Sequence, residues 1–118
     1  MALYNELPIF KATYDLLMIF YRDMAKMPRD GKYTILQEVK NEAMRLEVLI
    51  YQANSTRNKL PSLEEAAAIL VSLKLKVRIM ADLKFISDKL YAMTADKLVE
   101  ISKQLKAWQK YAKDVSSQ

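Results

Sequence analysis

The scarcity of glycine and proline limits what this chain can fold into. One glycine and three prolines among 118 residues leave few positions for the tight turns that a β-sheet needs between its strands. The apolar fraction of 52% supplies enough side chains for a core and excludes a disordered chain. These features predict long helices joined by short connections.

Apolar residues recur at alternating spacings of three and four in four segments, which is the pattern of a helix with one buried face. The segments predict helices at about 8–26, 33–54, 63–84 and 88–113. The same spacing is typical of helices that pack nearly parallel, and short connections make consecutive helices neighbours. The sequence therefore predicts a single all-α domain over residues 1–118, an antiparallel up-down-up-down four-helix bundle.

Three local signals indicate where the predicted helices begin. Pro8 suits the first turn of the first helix because it has no N–H group to leave unpaired. A turn at Asp30 and Gly31 separates the first helix from the second. At the start of the third helix, Ser62 and Glu65 have the spacing of a capping box, in which Ser62 is the N-cap.

The fourth predicted helix has two faces of opposite chemistry. Its apolar seam consists of Leu98, Ile101, Leu105, Trp108 and Ala112. A basic row follows roughly the opposite side and consists of Lys103, Lys106, Lys110 and Lys113. Burial of the seam directs the lysines outward as a rod of positive charge about 15 Å long. That shape suits an anionic polymer better than a small substrate, although an ordinary solvated lysine face has the same pattern.

The net charge of +5 lies in one half of the chain. Residues 1–65 carry nine basic and nine acidic side chains, whereas residues 66–118 carry ten basic and five acidic ones. A localised excess of positive charge favours an anionic partner. Together with the basic row, Lys74, Arg78 and Lys84 are therefore predicted to contact nucleic acid.

The third predicted helix carries a second row of apolar residues opposite its core stripe: Ala68, Val71, Leu75 and Ile79. The second helix has further apolar residues away from its seam: Met44, Val48 and Tyr51. A surface helix of a bundle needs one apolar stripe, so a second one predicts burial against another copy of the chain. The predicted interface of this homo-oligomer comprises Val71, Leu75, Ile79, Met44 and Val48. Crowding of the third helix within its own bundle is the alternative.

The residues that the chain lacks exclude several kinds of catalytic and metal site. Without histidine or cysteine there is no histidine base, thiol nucleophile, disulfide or thiolate metal site. Glu38 and Glu42 lie four residues apart, but their neighbours Lys40 and Arg45 suit ordinary surface ion pairs better than a metal site. We predict no enzymatic activity, no cofactor, no metal and no small-molecule substrate.

The N-terminal sequence has neither the basic start nor the apolar run of a secretory signal. No stretch of about 18 uncharged apolar residues predicts a membrane span. We therefore expect a cytoplasmic protein with no membrane partner.

Several segments, taken in order, resemble the Avd (accessory variability determinant) proteins of diversity-generating retroelements. The segments are LPIFKATYDLL at 7–17, MPRDGKYTI at 27–35, RIMADLKFIS at 78–87 with Tyr91, and ISKQLKAW at 101–108. The wider family includes four-helix proteins encoded in ribosomal-RNA intervening sequences. The resemblance covers nearly the whole chain, and its motifs are mostly packing and helix-boundary residues.

The resemblance implies a bundle of four helices that assembles as a pentameric ring in a bacterial or phage-encoded system. It also implies a non-catalytic protein that associates with a reverse transcriptase and with RNA or DNA, and that supports mutagenic retrohoming. Tyr14, Tyr91 and Trp108 are able to stack on bases, but their positions favour packing. The alternatives are an oligomeric helical adaptor, or an orphan ribosomal-RNA intervening-sequence protein without nucleic-acid binding.

Overall fold

The computed structural model describes residues 7–116, which form four long helices and one short one. The first helix, α1 (Pro8–Met18), continues into a π-helical turn at Ile19–Asp23. The others are α2 (Arg29–Lys32), α3 (Ile35–Ser55), α4 (Leu60–Asp82) and α5 (Asp88–Ser116). No strand occurs between residues 7 and 116. The prediction of an all-α fold with four long helices is confirmed.

The long helices pack around a shared apolar core. α3 contacts α1 and α4, and α5 contacts α4 and α1, so that each long helix has two neighbours and one outward side. Every long helix contributes side chains that are fully buried, among them Leu16, Phe20, Leu46, Ile50, Leu73, Met80 and Ile101. The bundle measures 50 by 22 by 21 Å. Its outward helix sides are where a partner can bind.

The predicted capping box at the start of α4 is wrong. The helix begins at Leu60, its N-cap is Lys59, and no side chain caps it. Ser62 therefore lies within the first turn. The physical reason is that Pro61 is compatible with a first helical turn, while Leu60 packs against the core and extends the helix toward its N-terminus.

The predicted turn at Asp30 and Gly31 is also wrong, because both residues lie within α2. Gly31 is buried, and a Cβ atom at this position would lie 2.6 Å from Cδ2 of Phe85 and 2.9 Å from Sδ of Met27. Its φ angle is not positive. Glycine is therefore required here by the close approach of Phe85 and not by an unusual backbone conformation.

One carboxyl group lies in the contact between α1 and α3. Glu47 exposes only 8% of its surface, its Oε1 lies 2.7 Å from Oγ1 of Thr13, and its Oε2 has no hydrogen-bond partner within residues 7–116. Burial raises the pKa of Glu47 to about 7.

The surroundings of Thr13 are consistent with a neutral carboxyl group. Its Oγ1 also lies 2.9 Å from the carbonyl oxygen of Phe10 and 3.0 Å from that of Ile9. Because a hydroxyl has one hydrogen, Thr13 donates to Glu47 when that residue is a carboxylate. When Glu47 is protonated, Thr13 can instead donate to one of these carbonyls and accept a hydrogen bond from the carboxyl O–H. This arrangement satisfies both groups except for one carboxyl oxygen.

Candidate nucleic-acid interface

The outward side of α5 carries the four lysines that the sequence placed opposite its seam. We call Lys103, Lys106, Lys110 and Lys113 the basic stripe. All four are exposed, and they line one shallow surface depression. The helix is held in this orientation by its buried side, which consists of Thr94, Leu98, Ile101, Leu105 and Ala112. Burial of that side against α1 and α4 turns the stripe toward solvent.

Three of the four lysines in the stripe form no direct ion pair, although the carboxylate of Asp114 lines the same depression. Lys103, Lys106 and Lys110 form no ion pair with any carboxylate in the part of the chain that the structure describes. Lys97, earlier in α5, differs because its Nζ lies 2.9 Å from Glu100 and 3.6 Å from Asp15. Within α5, the lysines without an ion pair to a described carboxylate therefore lie mostly in the C-terminal half of the helix.

The other three predicted contacts have different environments. Lys74 is exposed at the edge of the groove between α4 and α5. The Nε of Arg78 lies 3.1 Å from both carboxylate oxygens of Asp82, which raises the pKa of Arg78 and compensates its charge. Lys84 follows α4 with a φ angle of 62° and lies near the start of α5, about 20 Å along that helix from Lys103. Of these three residues, Lys74 is the exposed cation without an ion pair within residues 7–116 that lines the groove between α4 and α5.

The three aromatic residues considered for base stacking do not lie on the stripe. Tyr14 is exposed on α1, and Tyr91 is half-buried between α4 and α5. Trp108 is half-buried, and its position is about 200° around α5 from Lys110. None of these three aromatic residues therefore lies within the stripe itself.

The outward side of α4 is apolar. Val71 and Leu75 expose 68% and 62% of their surfaces, and Ile79 is also exposed. We call these residues together with Ala68 the apolar face of α4. Met44, Val48 and Tyr51 are exposed on α3.

Ion pairs run along the contact between α3 and α4. Arg45 pairs with Glu65 at 2.8 Å, and Lys76 pairs with Glu42 at 2.9 Å. These charged groups lie between the apolar face of α4 and the exposed apolar residues of α3. The predicted interface residues therefore form two surfaces instead of one.

The two glutamates considered for metal binding share one lysine. Nζ of Lys76 lies 3.1 Å from Glu38 and 2.9 Å from Glu42. The prediction that Lys40 and Arg45 pair with these glutamates is wrong. Lys40 lies over the ring of Tyr21, and Arg45 pairs with Glu65. Between residues 7 and 116, no group of three or more acidic, histidine or cysteine side chains is arranged to hold a metal ion. Within the same range, no helix combines the length and apolarity that crossing a membrane requires.

The chain that carries this basic stripe on four helices also matches the model of a protein family. Residues 7–112 match the model of the family described as bAvd-like. The chain belongs to the bAvd-like family. The match extends from the first residue that the structure describes into the last turns of α5, and it confirms the resemblance seen in the sequence. No curated protein sequence matches the chain.

This bAvd-like chain also has a cleft that sequence reasoning missed. The cleft lies where α3 ends and α4 begins, has a volume of about 670 Å³, and is bordered by Trp108 and Tyr111 of α5. Its cations, Arg57 and Lys59, come from the connection between α3 and α4. The short basic segment at 57–59 was the only sequence signal, and nothing in its spacing indicated that it lies beside Trp108.

Proposed function

We propose that this bAvd-like protein is a non-catalytic accessory protein of a diversity-generating retroelement. In this role it is a cytoplasmic protein, bacterial or phage-encoded, that binds nucleic acid through the basic stripe. It associates with the reverse transcriptase of the element and supports mutagenic retrohoming. Family membership supports the accessory role. The observation that carries nucleic-acid binding is the row of exposed lysines on the outward side of α5.

Binding by the stripe is electrostatic. Its ends, Lys103 and Lys113, are ten residues apart, which corresponds to about 15 Å along the helix. Double-stranded DNA carries one charge per about 1.7 Å of its axis, so several phosphates lie within reach. Lysines that contact phosphates release condensed cations, and this release drives binding. Contacts to phosphates carry no sequence information directly, which predicts binding without sequence specificity.

We also propose that the helices run up-down-up-down and that copies of the chain assemble, as the family resemblance implies, into a pentameric ring. The antiparallel arrangement of α3 and α4 is supported by their ion pairs. Arg45 pairs with Glu65, whereas Lys76, which is later in α4, pairs with Glu42, which is earlier in α3. The exposed apolar face of α4 supports contact between copies.

Charge reversal within the stripe tests the proposal. Lys103→Glu together with Lys110→Glu should weaken binding of RNA by at least about tenfold, and should lower the slope of log affinity against log salt by about 2. The matched control is Lys26→Glu together with Lys89→Glu, which makes the same change in net charge at exposed positions outside the stripe. Equal losses in the two double variants would mean that net charge, and not the stripe, determines binding.

The second candidate function is that of an oligomeric helical adaptor. The apolar face of α4 favours it, because such a face can dock a partner protein while the lysines only maintain solubility. A filter-binding titration across salt concentrations distinguishes the two functions. Steep loss of binding between low and moderate salt supports the nucleic-acid role, whereas no binding at low salt supports the adaptor. Copurification with the co-expressed reverse transcriptase tests the polymerase association separately.

A further inference from the structure

The cleft at the end of the bundle combines aromatic surface with positive charge. Trp108 is half-buried and Tyr111 exposes 60% of its surface, and both border the cleft beside Arg57 and Lys59. The remaining lining consists of Leu7, Asn54, Ser55 and Thr56. Because no carboxylate is among these lining residues, the cleft is suited to an anionic ligand with a planar group.

The two cations of the cleft differ in how firmly they are held. Nζ of Lys59 donates to the carbonyl oxygens of Ala53 at 2.7 Å and Thr56 at 2.9 Å, and lies 6.0 Å from the ring centroid of Trp108. Lys59 is thus part of the wall. Arg57 is exposed and forms no ion pair within residues 7–116, so its guanidinium is available to a ligand. A guanidinium suits the bidentate geometry of a phosphate group.

We propose that this cleft binds an unpaired nucleotide of single-stranded nucleic acid, with the base against Trp108 and Tyr111 and the phosphate at Arg57. Its volume of about 670 Å³ lies within the range of roughly 300–1,000 Å³ that is usual for sites of small ligands. Aromatic side chains accept any base because every base has a π face. A paired base within a duplex is already stacked and cannot enter.

The cleft and the basic stripe can act on the same strand. Tyr111 follows Lys110 directly and therefore lies about 100° around α5 from it. A strand that leaves the cleft can continue onto the stripe, where its phosphates are bound whether or not its bases are paired. The inference rests on the proposed function for this continuation only, because the chemistry of the cleft is independent of the stripe. Under this division, the stripe supplies general affinity and the cleft supplies preference for single strands.

The protein contains one tryptophan, Trp108, so its intrinsic fluorescence reports on the cleft directly. Three probes distinguish binding through bases from binding through phosphates. They are a short oligodeoxyadenylate, an abasic strand of the same length, and the matching duplex. We expect the oligodeoxyadenylate to quench Trp108 and to bind about tenfold more tightly than the other two, a gap within the usual contribution of a stacked base. Equal affinity and equal quenching by the adenylate and abasic strands would overturn the proposal.

Variants that retain Trp108 identify the groups responsible. The two cleft variants, Tyr111→Leu and Arg57→Gln, each change an exposed residue, and circular dichroism verifies their fold. Tyr111→Leu should reduce the advantage of the oligodeoxyadenylate, whereas Arg57→Gln should weaken the adenylate and the abasic strand alike, because both strands carry phosphates. The control is Lys103→Glu with Lys110→Glu, which should weaken all three probes by a similar factor. An unchanged adenylate advantage in Tyr111→Leu, or unchanged binding of both single strands in Arg57→Gln, would overturn the proposal.

The outcomes separate this proposal from the function of the stripe. If the stripe variant binds normally but Tyr111→Leu loses the adenylate advantage, the stripe is wrong and the cleft stands. Failure of the wild-type protein to bind any probe at low salt would overturn both.

Discussion

Relative to the wild type, Glu47→Gln should become more stable as the pH rises from acid to neutral. Burial raises the pKa of Glu47 from its ordinary value of 4.5 to about 7 in the folded protein. Between these two values the folded chain retains a proton that the unfolded chain has released. The free energy of unfolding therefore decreases as the pH rises through this interval.

The size of the effect follows from the interval between the two pKa values. At about 1.4 kcal/mol per pK unit, raising the pKa from 4.5 to about 7 corresponds to about 3 kcal/mol. This stabilisation is complete below pH 4.5 and absent above about pH 7. A typical domain has a total stability of about 5–15 kcal/mol, so the loss is measurable.

Glutamine imitates the protonated carboxyl group without titrating. Its N–H group can donate to Oγ1 of Thr13, as a neutral carboxyl group can, and its oxygen can occupy the position of Oε2. The second N–H hydrogen has no partner in this arrangement, which gives a constant cost at every pH. The advantage of the variant over the wild type should therefore increase by about 3 kcal/mol from about pH 4 to about pH 8.

Urea denaturation followed by circular dichroism at several pH values measures this difference. Protein concentration is held constant, because the proposed association of copies would also stabilise the folded state. Glu64→Gln is the matched control, since Glu64 is exposed on α4, and its effect should remain within about 0.5 kcal/mol at each pH. A pH-independent gap between Glu47→Gln and wild type would refute the reasoning, because it would mean that Glu47 gains no proton affinity on folding.

Three further predictions concern packing, an ion-pair network and association. Gly31→Ala should lower the free energy of unfolding by about 1–3 kcal/mol in chemical denaturation, and Phe85→Leu in the same chain should recover part of this loss; an unchanged midpoint would contradict the close approach of the ring. Lys76→Gln should cost about 1 kcal/mol and exceed the effect of Lys11→Gln, whose ion pair is more exposed; equal losses would show that the two glutamates contribute nothing beyond a surface pair. Leu75→Asp should reduce the mass measured by light scattering, and an unchanged oligomer would exclude the apolar face of α4 as the interface.

The spacing of apolar residues was sufficient to predict the long helices, because residues that face the core recur with the period of the helix. The apolar residues that recur at this spacing in α3 are all buried: Leu36, Val39, Ala43, Leu46, Ile50 and Ala53. Helix boundaries were less predictable. Ser62 has a good capping side chain, but the contact of Leu60 with the core extends α4 beyond it. A local capping signal was thus overridden by tertiary packing.

The candidate sites differ in predictability for a similar reason. The basic stripe lies on one helix, so residue spacing alone places its lysines on a common side. The cleft combines Arg57 and Lys59 with Trp108, which are about fifty residues apart in the chain. Likewise, the burial of Glu47 depends on which residue of α1 lies opposite it. Such arrangements depend on how separate helices are aligned against each other, and the spacing of residues within one helix does not determine that alignment.

The apolar face and the basic stripe lie on different helices, α4 and α5, and this separation gives association a predictable effect on binding. Copies that meet through the apolar face of α4 leave the outward side of α5 accessible. Each copy then adds its own stripe and its net charge of +5 to one assembly. Because a nucleic acid can contact several stripes at once, effective concentration strengthens binding without any new contact. Leu75→Asp should therefore weaken the binding of long RNA more than that of a strand short enough to contact one stripe. Equal weakening of both lengths would show that the stripes act independently.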